Sequence, residues 1–250
     1  MDETAAEVTD DRILGGRVSL RQPAKGYRAG MDAALLAAAC DAAAGERVLD
    51  LGCGVGAVML AAAARRPGAM FVGLERDPVA VALAQANINA NAMTGRAEAL
   101  EADVSALFSS LGLAPFDAAL ANPPYFDDPA ELRAPHPAKR AAWMADGGLG
   151  AWTDFLFKAV REGGTITVIH RAERLGDLLA RLSAKAGSFQ VRPVHPFADA
   201  PAGRVLVRAI KTGKAPLRLL PPLILHDADG GKHTPRTEAI LRGEADLPWL

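Results

Sequence analysis

The sequence predicts one α/β domain in which a mostly parallel sheet is closed by an antiparallel hairpin. Short apolar segments alternate with helical segments over most of the chain, which is the pattern of strand-helix-strand units with right-handed crossovers. In the stretch Val48–Gly56, an apolar segment is followed directly by a loop with glycine at every other position. Two later apolar segments, 189–194 and 204–210, are joined by a loop too short for a helical crossover, so they are expected to pair as a hairpin.

Composition indicates a single domain. The chain has 250 residues, half of them hydrophobic, so residues 1–250 can bury one substantial core. The residues before Asp11 are acidic and lack an apolar run, so we expect neither a signal peptide nor a membrane span there. Cys40 and Cys53 form no C-x-x-C pair, and the five histidines show no metal-ligand spacing. We therefore expect a soluble, cytoplasmic protein without metal, as a monomer or weak homodimer.

The segment before the glycine loop is expected to be irregular. Residues 1–10 are predicted to be disordered, and Arg12–Val18 to form a short strand or lead-in. Residues 22–45 begin with a polar, turn-rich stretch and continue as an alanine-rich helix that Asp32 caps and Gly45 ends. Two interpretations stay open for this segment: an ordinary loop with its helix cap, or a lid that covers a ligand and excludes water.

The glycine-rich loop follows a buried strand and indicates a ligand site. Val48–Leu51 is predicted to be that strand, and Ala57–Ala64 the helix that leaves the loop. Glycines permit positive φ angles and let a ligand approach the backbone. Gly52, Gly54 and Ala57 also meet the loose fingerprint of dinucleotide-binding loops, so a nicotinamide or flavin enzyme is an alternative. Asp50 favours another ligand, because a carboxylate repels a pyrophosphate but accepts hydrogen bonds from a cationic amine.

The arrangement Asp50-x-Gly52-x-Gly54-x-Gly56 resembles motif I of class I S-adenosylmethionine-dependent methyltransferases. The resemblance implies that this loop wraps the methionine part of the cofactor and that an acid ending the next strand holds the ribose hydroxyls. The strand Phe71–Glu75 supplies that acid, and a carboxylate suits the role because its two oxygens can accept from two adjacent hydroxyls. Asp77 is the substitute if Glu75 is wrongly assigned. Asp103, after a later strand, is expected to contact the adenine amino group.

The alternation of strands and helices continues through the rest of the chain. A last helix is predicted to begin at Thr234 and Pro235. The other predicted helices cover 78–92, 151–161 and 175–186, and the other predicted strands cover 99–102, 116–121 and 164–169.

The most specific pattern, Asn122-Pro123-Pro124-Tyr125, follows the predicted strand 116–121 directly. Prolines fix φ and lack an N–H, so the carbonyls of Asn122 and Pro123 can point into a site without competing local donors. An amino group on an aromatic ring is a poor nucleophile. If Asn122 Oδ1 and the Pro123 carbonyl accept hydrogen bonds from its two N–H groups, the nitrogen becomes pyramidal and its lone pair points at the methyl group. Tyr125 offers a face for stacking a base. The alternative is a proline-rich turn without a catalytic role.

The candidate nucleic-acid contacts lie in the second half of the chain. Residues 126–150 form a long polar loop, and a loop of that length in a compact domain is usually functional or mobile. Its His136, Lys139 and Arg140 fit contacts with phosphates, or simply a solvated charge run. Between 192 and 218 the basic residues outnumber the single acid, which fits either phosphate binding or protection of a sheet edge. These basic residues are Arg192, Arg204, Arg208, Lys211, Lys214 and Arg218.

Over nearly its full length the chain resembles the bacterial tRNA1(Val) adenine-37 N6-methyltransferase family. Besides the two motifs, the resemblance rests on the tail from Leu225-His226 to Thr234-Pro235 and, most narrowly, on Gln22-Pro23-x-Lys25-Gly26-Tyr27-Arg28-x-Gly30-x-Asp32. Met31 departs from the small polar residue expected before the aspartate. The resemblance implies a Rossmann-like, seven-stranded class I methyltransferase sheet, S-adenosylmethionine as cofactor, and tRNA adenine N6 as the acceptor, at an anticodon-loop position.

Site residues are assigned on the same basis. The catalytic residues are Asn122, Pro123 and Tyr125. The cofactor-binding residues are Tyr27, Arg28, Gly30, Asp32, Asp50, Gly52, Gly54, Gly56, Glu75, Arg76, Asp103 and Asn122. The substrate-binding residues are Pro124, Tyr125, His136, Lys139, Arg140, Arg204 and Arg208.

Several other functions are compatible with the motifs. The acceptor can also be an rRNA guanine N2, a DNA adenine or the glutamine amide of a release factor, and a non-catalytic S-adenosylmethionine-binding protein is a further alternative. Release-factor enzymes are expected to carry a helical substrate domain before motif I, and fewer than fifty residues precede Val48. A DNA adenine enzyme usually needs a target-recognition domain. A non-catalytic binding protein would not need the Asn122-Pro123-Pro124-Tyr125 motif, so the presence of this acceptor motif counts against that alternative.

Overall fold

The computed structural model describes residues 7–25, 28–124, 148–228 and 232–250. Its strands are β1 Val8–Ile13, β2 Val18–Pro23, β3 Arg47–Leu51, β4 Met70–Glu75, β5 Ala97–Glu101, β6 Phe116–Ala121, β7 Val160–Arg171, β8 Ala186–His195, β9 Arg204–Lys211, β10 Arg218–Leu219 and β11 Leu223–Ile224. Its helices are α1 Met31–Ala38, α2 Ala57–Arg65, α3 Pro78–Ala90, α4 Gly148–Ala159, α5 Leu175–Leu182 and α6 Pro235–Leu241.

The main sheet has the order β10-β8-β9-β7-β6-β3-β4-β5, with β11 also paired to β8. Strands β3 to β7 run parallel to one another, whereas β9 is antiparallel to both β7 and β8. Without the two-residue strands β10 and β11, this is a seven-stranded sheet that ends in an antiparallel hairpin. The predicted fold class is confirmed.

Apolar side chains cover both faces of this sheet. Neighbouring residues of a strand point to opposite faces, so Val48 and Leu49 of β3 belong to different clusters. The cluster that contains Val48 also includes buried residues of α1, α2 and α3, and the cluster that contains Leu49 includes those of α4 and α5. The sheet is therefore held between two helical layers, which fixes the ends of its strands.

The N-terminal part differs from the prediction. Val8–Asp10 belong to β1, which pairs antiparallel with β2 over its whole length, so these three residues are not disordered. Helix α1 ends at Ala38, well before Gly45. Its N-cap is Gly30 without a side-chain bond, and Asp32 lies within the first turn, so the predicted cap was wrong. Asp32 instead turns its carboxylate towards β9.

The last residues of the chain return to α1 and α2. The amide of Leu247 donates to Ala38 O at 2.9 Å, and Trp249 Nε1 donates to Ala39 O at 2.7 Å. Asp246 accepts from Arg65 at 3.0 Å and from Arg66 at 2.9 Å. The Arg65 side chain is only 2% exposed, so this part of the tail covers the helix that follows the glycine loop.

The structure bears on the cysteines, on membrane-spanning helices and on metal sites. Both cysteines are buried and free. Among the described helices, none has the length and apolar character needed to cross a membrane. Within the same ranges, no group of three His, Cys, Asp or Glu side chains is placed to hold a metal ion.

Candidate active site

The candidate site lies at the carboxyl ends of the parallel strands. Strand β3 pairs with β4 on one side and with β6 on the other, so the loops after β3 and β6 leave the sheet next to each other. In open α/β sheets, ligands bind at this kind of topological switch point. Because β9 is antiparallel, the β8–β9 connection reaches the same edge, where Arg204 faces Arg171 at the end of β7.

The glycine loop after β3 has the backbone that the sequence predicts. Gly52, Gly54 and Gly56 have φ angles of +69°, +54° and +87°, which lie in the left-handed region. A Cβ on Gly52 would lie 2.3 Å from the ring of Trp152, so this glycine is needed for packing as well as for φ. A Cβ on Gly54 would meet nothing within 4 Å. The loop is thus packed at its first glycine and open at its second.

Asp50 lies beneath the loop and binds the helix that follows. Its side chain is 1% exposed, and Oδ2 accepts from the Met59 amide in the first turn of α2 at 3.0 Å. The N-cap of α2 is Gly56, which has no side chain to accept such a bond, so Asp50 supplies the missing acceptor. Burial raises the pKa of Asp50 to about 7, and Glu75 adds to the rise, against the effect of the Met59 bond. Contact between Asp50 and a cofactor remains a prediction.

Glu75 connects the end of β4 to the glycine loop. Its Oε2 accepts from the Gly54 amide at 3.0 Å, and its Oε1 accepts from the amides of Arg76 and Asp77 at 2.9 and 3.0 Å. Asp77 is occupied elsewhere, as the N-cap of α3 that accepts from Val79 N at 2.9 Å. Of the two acids, Glu75 is therefore the one that contacts the glycine loop, and its contact with a ribose stays a prediction.

Asp103 follows β5, the next strand along this edge. Its Oδ1 accepts from the Ser105 amide at 2.7 Å. The bonds from Ser105 lower the pKa of Asp103, and the charge of Arg76 contributes to the same effect. The strand ends at Glu101 rather than at residue 102. Asp50 near the end of β3, Glu75 at the end of β4 and Asp103 after β5 thus lie at the carboxyl ends of three neighbouring strands.

Asn122 begins the loop after β6. Ala121 at the end of β6 pairs with Leu51 at the end of β3. The residues that follow them, Asn122 and Gly52, therefore start their loops side by side. Pro123 is buried, whereas Asn122 and Pro124 are half-buried. The acceptor motif and the glycine loop are therefore neighbours. Tyr125 lies outside the described residues, together with Tyr27, His136, Lys139 and Arg140.

The segment that leads into α1 is tied to the N-terminal hairpin. Gln22 is 3% exposed, and its Oε1 accepts from the Ala29 amide while its Nε2 donates to Asp11, both at 2.9 Å. Arg28 donates to Asp11 at 2.7 Å and to Thr9 at 2.8 Å. The bonds from Gln22, Thr9 and Arg28 lower the pKa of Asp11. Thr9 and Asp11 were not predicted to take part, because they lie in the stretch with no apolar pattern.

The two arginines predicted to contact tRNA each form an ion pair within the fold. Arg204 Nε lies 3.1 Å from Asp32 Oδ2, and Arg208 Nη2 lies 2.9 Å from Asp41 Oδ2. Both arginines are on β9, which lies inside the sheet between β7 and β8, so protection of a sheet edge does not explain them. The Arg208 side chain is only 14% exposed. Their contact with tRNA stays a prediction.

Three further side chains near this end of the sheet are held by contacts within the fold. His170 is 1% exposed, and its Nδ1 accepts from the Arg171 amide at 2.9 Å, as expected of a buried histidine at a strand end. Trp152 packs against Gly52. Met31, the departure from the family pattern, packs against the core.

The fold and the glycine loop resemble those of class I methyltransferases, and the chain is similar in sequence and structure to known methyltransferases. Residues 28–136 match the family model described as the methyltransferase small domain. A solved structure of a predicted O-methyltransferase from Agrobacterium tumefaciens superimposes with a TM-score of 0.72 and 27% identity, over 86% of this chain and 98% of that one.

Curated relatives carry a more specific name. The chain is 32% identical to the tRNA1(Val) (adenine(37)-N6)-methyltransferase of Actinobacillus succinogenes over 59% of this chain and 62% of that protein. It is 29% identical to the enzyme of the same name from Pasteurella multocida, over 77% and 74% of the two chains. The first match spans less than two thirds of that relative. The resemblance inferred from the motifs is confirmed.

Proposed function

We propose that this protein is an S-adenosylmethionine-dependent methyltransferase that acts on the exocyclic N6 of an adenine in tRNA. The observation that carries the proposal is the position of Asn122-Pro123-Pro124 immediately after β6, beside the glycine loop after β3. A donor site and an acceptor site for the methyl group would then share one edge of the sheet. The names of the curated relatives support adenine in tRNA as the acceptor.

The residues around the glycine loop fit the cofactor. The open space over Gly54 lets a ligand approach the backbone, as the GxG arrangement requires. Glu75 offers a carboxylate to vicinal hydroxyls at the end of β4, next to that open position. Asp103 after β5 and Asp50 under the loop are further acids, which suit a cationic ligand better than a dinucleotide pyrophosphate. When bound, S-adenosylmethionine supplies an activated methyl group.

Asn122 and Pro123 perform the acceptor role in this proposal. The Asn122 side-chain oxygen and the Pro123 carbonyl accept the two N–H bonds of the target amino group, which orients its lone pair. Because methyl transfer from a sulfonium is an in-line displacement, positioning and exclusion of water matter more than a strong base. The substitution Asn122→Ala is expected to abolish turnover and to leave the dissociation constant of S-adenosylhomocysteine within a few fold, as measured by titration calorimetry. Loss of cofactor binding would remove Asn122 from the acceptor role.

The proposal is tested by identifying the methylated atom. The protein is incubated with methyl-labelled S-adenosylmethionine and, separately, with tRNA, rRNA, DNA and release factor, and the labelled product is digested and identified. Label recovered as N6-methyladenosine from tRNA is expected. Label on a guanine, on a glutamine amide or on an oxygen would overturn the acceptor, and the last outcome is included because the Agrobacterium structure carries an O-methyltransferase description. Absence of label in every sample would favour a non-catalytic binding protein.

A further inference from the structure

Asn87, a residue in the last turn of α3, is completely buried and joins three parts of the chain. Its Oδ1 accepts from the Arg21 amide at 2.7 Å, and its Nδ2 donates to Arg21 O at 2.9 Å. The same Nδ2 donates to Val55 O, also at 2.9 Å. Val55 lies between the second and third glycines of the loop, and Arg21 is in β2. One side chain therefore connects the glycine loop to the N-terminal hairpin.

Asn91, the C-cap residue of α3, forms the same pair of bonds to β2 but, among the described residues, has no bond to the glycine loop. Its Oδ1 accepts from the Ser19 amide at 2.8 Å, and its Nδ2 donates to Ser19 O at 2.7 Å. The two asparagines thus pair with alternate residues of β2, as a neighbouring strand would. The difference lies in the third bond. Asn91 Nδ2 donates to Asn87 O within its own helix at 2.7 Å, whereas Asn87 reaches the loop.

The hairpin end of this connection leads to the segment before α1. Arg21 is followed by Gln22, whose buried amide binds the Ala29 backbone and Asp11, and Asp11 binds Arg28. Hydrogen bonds therefore connect Val55 in the glycine loop, through Asn87, to Arg21, and the next residue, Gln22, continues the connection to residues 28 and 29. Motion of the loop relative to this segment would have to break a bond to a buried amide, and leaving such a group without a partner is costly.

We infer that Asn87 is a positioning residue for the cofactor, because it fixes the glycine loop at a set distance from the segment that leads into α1. This inference rests on the proposed function, since it treats both parts as walls of the S-adenosylmethionine site. Asn87 does not touch the reacting atoms in this account. Its effect is to keep the two walls in their binding positions before the cofactor arrives, which avoids the cost of ordering them on binding.

The test compares Asn87→Ala with the matched control Asn91→Ala. Both changes remove two hydrogen bonds to β2, so both are expected to lower the melting temperature, and Asn87→Ala should lower it more because Asn87 is fully buried whereas Asn91 is half-buried. The Asn87 variant alone releases the loop, and its dissociation constant for S-adenosylhomocysteine is expected to rise about tenfold, as is usual when a buried hydrogen bond is lost. Its KM for the cofactor should rise in parallel while kcat at saturating cofactor changes less than threefold, a division that general destabilisation would not produce.

Asn87→Asp is a second variant of nearly unchanged shape. It keeps an oxygen for the Arg21 amide but replaces the donor to Val55 O and Arg21 O with an acceptor, so the same rise in dissociation constant is expected even if the alanine variant does not fold. Equal changes in both alanine variants, or an unchanged constant in Asn87→Ala and Asn87→Asp, would overturn the inference. A wild-type protein that binds S-adenosylhomocysteine but methylates no RNA would overturn the proposed function, and the comparison of dissociation constants would still decide the role of Asn87.

Discussion

The buried carboxyl group of Asp50 should make the stability of the cofactor-free protein depend on pH. Burial raises its pKa from the ordinary 3.8 to about 7. Each tenfold change in proton affinity corresponds to about 1.4 kcal/mol, so ionised Asp50 destabilises the folded state by about 4 kcal/mol relative to a solvated carboxylate. The substitution Asp50→Asn removes this charge and keeps an oxygen that can accept from the Met59 amide.

The pH window follows from the direction of the shift. Below pH 3.8 the group is protonated in both the folded and the unfolded chain, and above pH 7 it is ionised in both. Between these values the folded chain holds the extra proton, so its stability falls as the pH rises. The free energy of unfolding of Asp50→Asn minus that of the wild type should therefore increase by about 4 kcal/mol from pH 4 to pH 8. A constant offset from the buried amide does not affect this difference.

Urea unfolding at four or five pH values, without cofactor, measures the effect directly. Asp103→Asn is the matched control, because the pKa of Asp103 is lowered and its titration lies below the window. This control should follow the wild type between pH 4 and pH 8. If the free-energy difference for Asp50→Asn is independent of pH, Asp50 is not an uncompensated buried carboxyl group, and the account of its environment is wrong. The same variant is expected to bind S-adenosylhomocysteine more weakly at pH 8, despite its greater stability.

The remaining predictions concern the glycine loop, Glu75, and the ion pair between Arg204 and Asp32. Gly52→Ala should lower the free energy of unfolding by about 3 kcal/mol or more, because the new methyl group meets the indole of α4, whereas Gly54→Ala should lose only about 1 kcal/mol from its positive φ. Glu75→Ala should weaken S-adenosylhomocysteine binding at least tenfold in calorimetry, and Asp77→Ala, which removes a helix cap, should instead lower stability by about 1 kcal/mol. The reverse order for these acids would reassign the ribose site. Arg204→Gln should raise the KM for tRNA and reduce the salt dependence of binding by about one phosphate contact, and an unchanged slope would leave this arginine a structural role only.

The glycine loop was predictable because its chemistry is local. Three glycines at every other position require left-handed backbone angles wherever they occur, and a buried strand before them fixes where the loop begins. The bounds of β6 agree with the prediction for a similar reason, since an apolar run that ends at Asn-Pro-Pro cannot continue as a strand. The role of Asp50 as a cofactor contact stays a prediction, and its burial beneath the loop depends on the packing of α2, which the sequence does not display.

The parts that escaped prediction depend on contacts between distant residues. Strand β1 has the sequence VTDDRI, without an apolar alternation, and its register is held by pairing with β2 and by side-chain bonds to Arg28. Asn87 and Asn91 look like solvated positions of an amphipathic helix, yet both pair with a strand that lies about 70 residues earlier. Aspartate favours the N-cap position of a helix, but Asp32 lies within the first turn of α1, where it forms an ion pair with Arg204. In each case a tertiary hydrogen bond outweighs the local preference.

The return of the last residues to α1 and α2 has a consequence for the order of folding. The strands and loops that form the candidate cofactor site are all synthesised by residue 124, whereas the outer surface of its first helices is completed by Asp246, Leu247 and Trp249. Contacts of such sequence separation form late and slow the folding of a domain. The early half of the chain therefore leaves the ribosome with an apolar helical face still uncovered, and its protection from aggregation depends on how soon the tail arrives.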